Sequence, residues 1–297
     1  MVNDMEFNRK SDSEAAQDDP AGMSTARQQD LCVRDVMNPR VIAVTSTESL
    51  KAGARLMSEN CISCLPVVDN HVFKGLITQE AILTSLIREH AIADTLQVHD
   101  HMLPTVVTIS PEVSVLEASM IAHRKQIKWL PVLTGQTVVG IITQTDLVHA
   151  LMCFDSFPDV ASIMSRDTIS VHAASSVVEA ANIMAENRVS CVVAIQNGRV
   201  LGILTEKDLL KVALEPDKKL SDICVVDAMS FPVISARPSD SMISASRLMD
   251  RMHIHHLAVL EDEQLRGIIT RTDVLKAFQQ SLVQYTGLYD LVTLSQS

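Results

Sequence analysis

Apolar and polar positions along the 297-residue chain repeat in four similar blocks. Each block holds a short extended run, a stretch with apolar residues at helical spacing, an apolar strand, a polar turn and a second strand. A glycine opens that second strand, and a methionine precedes the extended run. Both markers recur at intervals of 65, 62 and 65 residues. The glycines are Gly75, Gly140, Gly202 and Gly267, and the methionines are Met37, Met102, Met164 and Met229.

A fixed period of this length indicates four copies of one supersecondary unit. The shorter central interval separates copies one and two from copies three and four, so we expect two pairs. The order strand, helix, strand, strand, helix predicts an α/β unit with a small sheet, and pairing would cover its exposed side. The predicted parts are an arm at 1–30, repeats at 31–92, 93–153, 154–216 and 217–280, and an extension at 281–297.

Capping patterns mark the predicted helix starts. Ser114 and Ser176 each precede a glutamate by three residues, which is the spacing of a capping box. At the second helix, a threonine precedes an aspartate by three residues in copies two to four. Copy one has Thr78 followed by Ala81, although its apolar pattern still continues as a helix. The aspartate is therefore dispensable for the fold, which favours ligand binding, with simple capping as the alternative.

Composition narrows the class of function. A net charge of −11 and 3% aromatic residues disfavour nucleic acid as a partner. Neither a signal peptide nor an apolar stretch long enough to span a membrane is evident. The six cysteines lie in apolar runs, which favours buried thiols in a reducing cytoplasm. We predict no enzyme, because the chain contains no P-loop, GxGxxG or GxSxG motif. The acidic arm at 1–30 is expected to be disordered.

Three other features carry weaker chemical signals. Cys61-x-x-Cys64 lacks the second cysteine pair of a zinc ribbon. On a strand, His253 and His255 would share a face, but no carboxylate stands nearby, so we prefer a phosphate-facing histidine to a metal ligand. The single tryptophan, Trp129, is expected to pack at a domain edge and not to stack on a base. We therefore predict no metal site.

The order "VM", then "PVVD" or its variants, then glycine–apolar–apolar–Thr–x–x–Asp resembles the CBS (cystathionine-β-synthase) domain over about residues 31–280. The resemblance implies two tandem pairs, called Bateman modules, stacked on each other or on a second chain. Members of this family usually bind adenosine-containing ligands in clefts between paired domains and signal to an effector protein without catalysis. AMP, ADP or ATP is the implied ligand, with NAD or S-adenosylmethionine as further candidates, and a homodimer is the implied assembly.

The resemblance also implies site residues. In the family, the aspartate of the motif binds both ribose hydroxyls, and the threonine contacts ribose or phosphate; a carboxylate suits a vicinal diol, and a helix N-terminus suits phosphate. The matching residues are Thr143, Asp146, Thr205, Asp208, Thr270 and Asp273. In a kinase regulatory subunit of the family, residues just before the first core strand reach phosphate, and Lys128 and His255 match them unless they are solvated strand ends. Thr108, Ser170 and Ser235 align with a residue near adenine, although they could be plain strand residues.

The leading hypothesis is a cytoplasmic sensor of adenine nucleotides with at most three strong sites. Because Ala81 occupies the ribose position in copy one, its cleft is expected to bind weakly or not at all. One alternative is a scaffold whose modules dimerise without a small molecule. Another is a regulatory fragment of a larger signalling enzyme, with the extension at 281–297 once leading into an output domain.

Overall fold

The computed structural model describes residues 31–89, 95–151, 158–215 and 219–286. Repeat one comprises α1 (Val33–Val36), α2 (Leu50–Asn60), β1 (Cys64–Asp69), β2 (Val72–Thr78) and α3 (Gln79–Glu89). Repeat two comprises α4 (Val98–His101), α5 (Val115–Arg124), β3 (Trp129–Thr134), β4 (Thr137–Thr143) and α6 (Gln144–Leu151). Repeat three comprises α7 (Val160–Ile163), β5 (Ser170–His172), α8 (Val177–Asn187), β6 (Cys191–Gln196), β7 (Arg199–Thr205) and α9 (Glu206–Ala213). Repeat four comprises a 3-10 turn (Leu220–Asp222), α10 (Val225–Ala228), β8 (Ser235–Ala236), α11 (Met242–Met252), β9 (His256–Glu261), β10 (Gln264–Thr270) and α12 (Arg271–Thr286).

The sheets differ between the modules in the first strand of each repeat. In repeats three and four, β5 and β8 pair in parallel with β6 and β9, which gives three-stranded sheets. In each of repeats one and two, the corresponding extended run forms a single parallel β-bridge with the next strand. There Pro66 and Pro131 occupy the positions at which Val193 and Ala258 pair with the first strand. Proline has no backbone N–H, so the ladder loses a donor at that point.

The glycine and methionine markers contact each other within each pair of repeats. A Cβ atom at Gly202 would lie 2.7 Å from the sulfur of Met229, and one at Gly267 would lie 2.8 Å from the sulfur of Met164. Gly140 faces Met37 in the same way, whereas Gly75 faces the backbone of Leu103. The two markers share a period because each glycine leaves room for the methionine segment of the paired repeat.

Short segments cross between the paired repeats. Residues 32–38 bond to repeat two through the bridges of Cys32 with Ser114 and of Asn38 with Ile141. Residues 97–103, which belong to repeat two, bond to repeat one. In the second module, residues 159–165 bond to repeat four and residues 224–230 bond to repeat three. The strands β2 and β4 also contact each other, as do β7 and β10. The predicted organisation into two pairs is confirmed.

The two modules pack on each other through the second helices of their repeats. Helix α3 contacts α9, and α6 contacts α12, so repeat one faces repeat three and repeat two faces repeat four. One core cluster continues from Leu147 of repeat two to Phe278 of repeat four. On the other side, Leu210 of repeat three belongs to the core of repeat one, and Leu83 of repeat one belongs to that of repeat three. The modules therefore stack within a single chain.

The helix caps at Ser114 and Ser176 and the burial of two cysteines agree with the sequence pattern. The Ser114 and Ser176 hydroxyls each accept a hydrogen bond from the amide three residues later, which forms the hydroxyl half of the expected caps. Burial raises the pKa of the Cys64 thiol and raises that of Cys191 to about 12. Cys61, however, is exposed at the end of α2, so the expectation of uniformly buried cysteines is wrong there.

Some predictions fall on other parts of the chain. The arm at 1–30, Cys153 and most of the extension at 281–297 lie outside the described residues. Among the helices that the structure describes, none is long and apolar enough to cross a membrane.

Candidate functional site

The three threonine–aspartate pairs lie where β4, β7 and β10 run into the following helices. In each pair one aspartate oxygen, Oδ2, accepts hydrogen bonds from the threonine amide and from the threonine hydroxyl. The distance from Oγ1 to Oδ2 is 2.7 Å for Thr143 and Asp146, 2.6 Å for Thr205 and Asp208, and 2.7 Å for Thr270 and Asp273. Each aspartate therefore does cap its helix, but the cap uses only one of the two carboxylate oxygens.

The second aspartate oxygen differs among the three pairs. Oδ1 of Asp208 accepts a hydrogen bond of 3.3 Å from the Ser230 hydroxyl. Ser230 belongs to the segment that crosses from repeat four onto repeat three, so Asp208 faces the boundary between paired repeats. For Asp146 and Asp273, no hydrogen bond to Oδ1 is found within the described ranges. Burial raises the pKa of Asp273, although hydrogen bonds from Thr270 partly offset this effect.

Repeat one shows what the motif looks like without the carboxylate. The Thr78 hydroxyl accepts a hydrogen bond of 3.2 Å from the Ala81 amide, and α3 still begins at Gln79. The helix start therefore forms without an aspartate, as the sequence argument required.

Lys128 and His255 lie beside the threonine–aspartate pairs of their own repeats. The amide of Gln144 donates to the Lys128 carbonyl at 3.2 Å, and the amide of Arg271 donates to the His255 carbonyl at 3.1 Å. The His255 ring keeps contact with solvent. Desolvation by the surrounding protein nevertheless lowers its pKa to about 4, and Arg271, Lys207 and Lys128 add to the shift. The charges of basic groups from repeats two, three and four thus all act on His255, which is neutral near pH 7.

Thr108, Ser170 and Ser235 lie at the outer edge of their sheets. Ser170 and Ser235 pair with Val193 and Ala258, and Thr108 precedes the bridge formed by Ile109. Thr108 and Ser170 are exposed and Ser235 is half-buried, so their side chains are accessible. Their contact with a ligand base stays a prediction.

Arg271 has a role that the sequence did not suggest. Its place in the motif predicts a solvated cation or a neighbour of phosphate, but its side chain is only 5% exposed. The guanidinium donates to the Asp250 carboxylate and, at 3.2 Å, to the Ser246 hydroxyl. Asp250 also bonds to Nε2 of His149 at 2.8 Å. The expectation of a solvated cation is therefore wrong, because Arg271 is committed to a carboxylate on α11.

The protonation state of Asp250 follows from these contacts. Burial would raise its pKa, but hydrogen bonds from His149 and Arg271 outweigh burial and lower it. The carboxylate is thus ionised at neutral pH and balances the buried guanidinium. No local pattern marks this network, since its members are separated along the chain.

Two glutamates form a second unforeseen feature. Glu206 is the first residue of α9, and burial raises the pKa of its carboxyl group. The Lys128 charge opposes this shift, whereas Glu80 of repeat one adds to it. The corresponding residues in the other repeats are Gln79, Gln144 and Arg271. Comparing these four positions would have revealed the difference in charge.

The structure also shows where the histidine run at 253–256 and Trp129 lie. His253 ends α11 in a left-handed conformation, so the expectation that it shares a strand face with His255 is wrong. The Ser190 hydroxyl lies 2.9 Å from Nε2 of His256, and Nε1 of Trp129 donates to the Ser63 hydroxyl at 2.9 Å. Trp129 thus lies at the boundary of repeats one and two. In the part of the chain that the structure describes, no three His, Cys, Asp or Glu side chains are arranged to hold a metal ion.

The CBS-domain family profile matches residues 33–88, 98–153, 160–215 and 221–280. These matches cover more than half of the chain, which therefore belongs to the CBS-domain family. The predicted fold of four tandem CBS domains in two Bateman modules is confirmed.

Relatives of similar length share this fold. The uncharacterised protein MJ1225 of Methanocaldococcus jannaschii is 25% identical over 270 residues, covering 81% of this chain and 96% of that protein. Its crystal structure, proposed as an archaeal homologue of γ-AMPK, matches with a TM-score of 0.76 at 24% identity and covers 84% of this chain and 100% of that chain. An uncharacterised protein of Pyrococcus horikoshii matches with a TM-score of 0.58 at 17% identity, covering 84% and 100% of the two chains.

A longer relative comes from the same archaeon as MJ1225. The protein MJ1404 is 25% identical over 264 residues, which cover 82% of this chain and 61% of that protein. The chain therefore spans about three fifths of the length of MJ1404.

Proposed function

We propose that this chain is a non-catalytic sensor that binds an adenosine-containing ligand in clefts between paired CBS domains and signals to a partner protein. AMP, ADP or ATP is the favoured ligand, and NAD or S-adenosylmethionine is a further candidate. The observation that carries the proposal is the arrangement of Asp146, Asp208 and Asp273. Each aspartate caps a helix with one oxygen and keeps the other oriented outside the cap.

The chemistry of these positions suits a nucleotide. A carboxylate oxygen can accept hydrogen bonds from a ribose diol, and the free amides of the adjacent helix N-terminus can bind phosphate. The positive charges of Lys128 and Lys207, from repeats two and three, both act on His255, which supports this region as a phosphate site. The proposed homology of the relative MJ1225 to γ-AMPK also supports a nucleotide ligand.

The proposed site therefore has three parts. Ribose would bind to Thr143 and Asp146, to Thr205 and Asp208, and to Thr270 and Asp273. Phosphate would bind near Lys128 and His255, and the base near Thr108, Ser170 or Ser235. A cytoplasmic location and a homodimer belong to the same proposal.

The test removes the carboxylates that are proposed to bind ribose. Asp208→Ala and Asp273→Ala should each remove charge-assisted hydrogen bonds of about 1.5–3 kcal/mol, which weakens AMP about tenfold to hundredfold at the affected cleft. Isothermal titration with AMP measures this change. Asp240→Ala is the matched control, because Asp240 accepts a hydrogen bond from the Arg237 amide outside the motif. It should leave AMP affinity unchanged.

Two results would contradict the proposal. Unchanged affinity in both variants would show that the carboxylates act only as helix caps. A melting temperature of the unsubstituted chain that responds to none of AMP, ADP, ATP, NAD and S-adenosylmethionine would favour the ligand-free scaffold, since a ligand at 100 times its Kd stabilises by about 2.7 kcal/mol.

A further inference from the structure

A direct hydrogen bond joins two candidate sites in different modules. The Thr272 hydroxyl donates to Oε1 of Gln144 at 3.0 Å. Gln144 is the first residue of α6, which carries Asp146, and Thr272 is the second residue of α12, which carries Asp273. The N-terminal turns of the two candidate ribose-binding helices are therefore in contact.

A second set of contacts runs parallel to the first. His149, three residues after Asp146 on α6, bonds to Asp250 of repeat four at 2.8 Å. Asp250 accepts a hydrogen bond from Arg271, which is buried at the start of α12. The Arg271 amide in turn donates to the carbonyl of His255, the candidate phosphate residue. Polar contacts thus lead from one candidate site to the other.

The corresponding position between repeats one and three lacks such links. Helices α3 and α9 meet through Leu83 and Leu210, which lie in apolar clusters. The negative charge of Glu80 acts there on the like-charged Glu206. Over the described ranges, no hydrogen bond or ion pair joins the first two residues of α3 to those of α9.

We propose that the Asp146 and Asp273 clefts are energetically coupled across the module boundary through Gln144–Thr272 and His149–Asp250–Arg271. This inference rests on the proposed function. A ligand that orders one helix start changes the free energy of the contacts at the other, and such coupling must be reciprocal. Because Arg271 is buried and held on two sides, displacement at either end is transmitted and not absorbed by solvent.

The coupling is measured by AMP titration in a chain that carries Asp208→Ala and so keeps two candidate carboxylates. Two reference chains, Asp208→Ala with Asp146→Ala and Asp208→Ala with Asp273→Ala, give the affinities of the single clefts. We expect the two-cleft isotherm to depart from the sum of the single-cleft isotherms by a coupling factor of about fivefold or more.

The route is tested by removing only the contacts between modules. Thr272→Val together with His149→Ala leaves the buried pair of Arg271 and Asp250 intact, and should bring the coupling factor to within about twofold of unity. Glu80→Gln, at the boundary of repeats one and three, is the matched control and should retain the coupling. If the double variant fails to fold, Thr272→Val alone should still reduce the coupling factor.

Each outcome decides between the inference and the proposed function. Additive isotherms in the two-cleft chain would overturn the inference and leave the proposed function standing. Coupling that persists without the Thr272 and His149 side chains would overturn the route through these contacts. Failure of the unsubstituted chain to bind any of AMP, ADP, ATP, NAD and S-adenosylmethionine would overturn both.

Discussion

The boundary between repeats one and three and the boundary between repeats two and four use the same elements with different chemistry. In both, the second helices of two repeats pack on each other. Between repeats one and three the contact is apolar, and Glu80 lies near Glu206. Between repeats two and four, His149 bonds across the boundary to Asp250, which also holds the buried Arg271 of repeat four. The helix geometry therefore does not depend on the polar groups placed on it.

The first residue of the second helix shows how this difference arose. Gln79 and Gln144 make the same contact, each donating from Nε2 to a carbonyl 17 residues earlier at 3.3 Å. Their partners across the boundary are an acid, Glu206, and a base, Arg271. Shape is maintained by the glycine–methionine contacts and the apolar clusters, so these positions are free to specialise.

The largest expected effect comes from breaking the polar boundary. Asp250→Ala leaves the guanidinium of Arg271 buried without its counter-charge, which should lower the free energy of unfolding by about 3 kcal/mol. Urea denaturation measures the loss. Asp227→Ala, which removes an exposed aspartate on α10, is the control and should change stability little. Equal stability of the two variants would show that the ion pair contributes nothing to the stability of the fold.

A slightly smaller loss is expected from the apolar boundary. Leu210 is fully buried in repeat three but belongs to the core of repeat one. Leu210→Ala should cost about 2–3 kcal/mol, through lost burial and the cavity that remains. The same urea experiment applies, with Val226→Ala as the control because Val226 is 45% exposed. A loss below about 1 kcal/mol would mean that the modules separate freely at this boundary.

The sequence predicts the parts of the fold that depend on local patterns. The repeat period, the helix starts at Thr143, Thr205 and Thr270, and the pairing of repeats all follow from residues close together in the chain. The pattern predicts the same first strand in all four repeats. That strand is shortened in two of them because Pro66 and Pro131 lie on the neighbouring strand, and the relation appears only when the strands are paired.

The contacts between modules could not be predicted in this way. Thr272 and Gln144 lie 128 residues apart, and nothing near either residue specifies the other. The partner of Arg271 could not be predicted for the same reason. A cation at a helix N-terminus is mildly unfavourable by itself, and its explanation is Asp250 on the preceding helix.

The two boundaries are also expected to differ in AMP binding, and restoring the carboxylate that repeat one lacks tests this difference. Repeats two and four both carry the motif aspartate, whereas repeat one has Ala81. Ala81→Asp should strengthen AMP binding at the repeat-one cleft about tenfold, equal to about 1.4 kcal/mol. Isothermal titration should then show an added or tighter site. Ala81→Asn is the control, because a neutral amide makes weaker hydrogen bonds to the diol. Equal affinities of both variants and the unsubstituted chain would contradict the ribose assignment.

The smallest expected effect concerns Glu206 and the like charge of Glu80. Burial raises the pKa of Glu206, Glu80 adds to the shift, and Lys128 opposes it. The folded chain therefore binds this proton more tightly than the unfolded chain, so ionisation destabilises the fold as the pH rises above about 4.3, the ordinary value for glutamate.

Glu206→Gln should consequently raise the melting temperature by about 1–3 °C at pH 7. The gain should vanish below about pH 3, where Glu206 is protonated in both states. Scanning calorimetry between these pH values measures the difference. Glu179→Gln is the control, since Glu179 is an exposed glutamate in the first turn of α8 and should bring no gain at neutral pH. A lower melting temperature for Glu206→Gln at pH 7 would show that attraction to Lys128 outweighs burial. The charge of Lys128 on repeat two would then help to hold repeat three in place, in addition to the apolar contacts between repeats one and three.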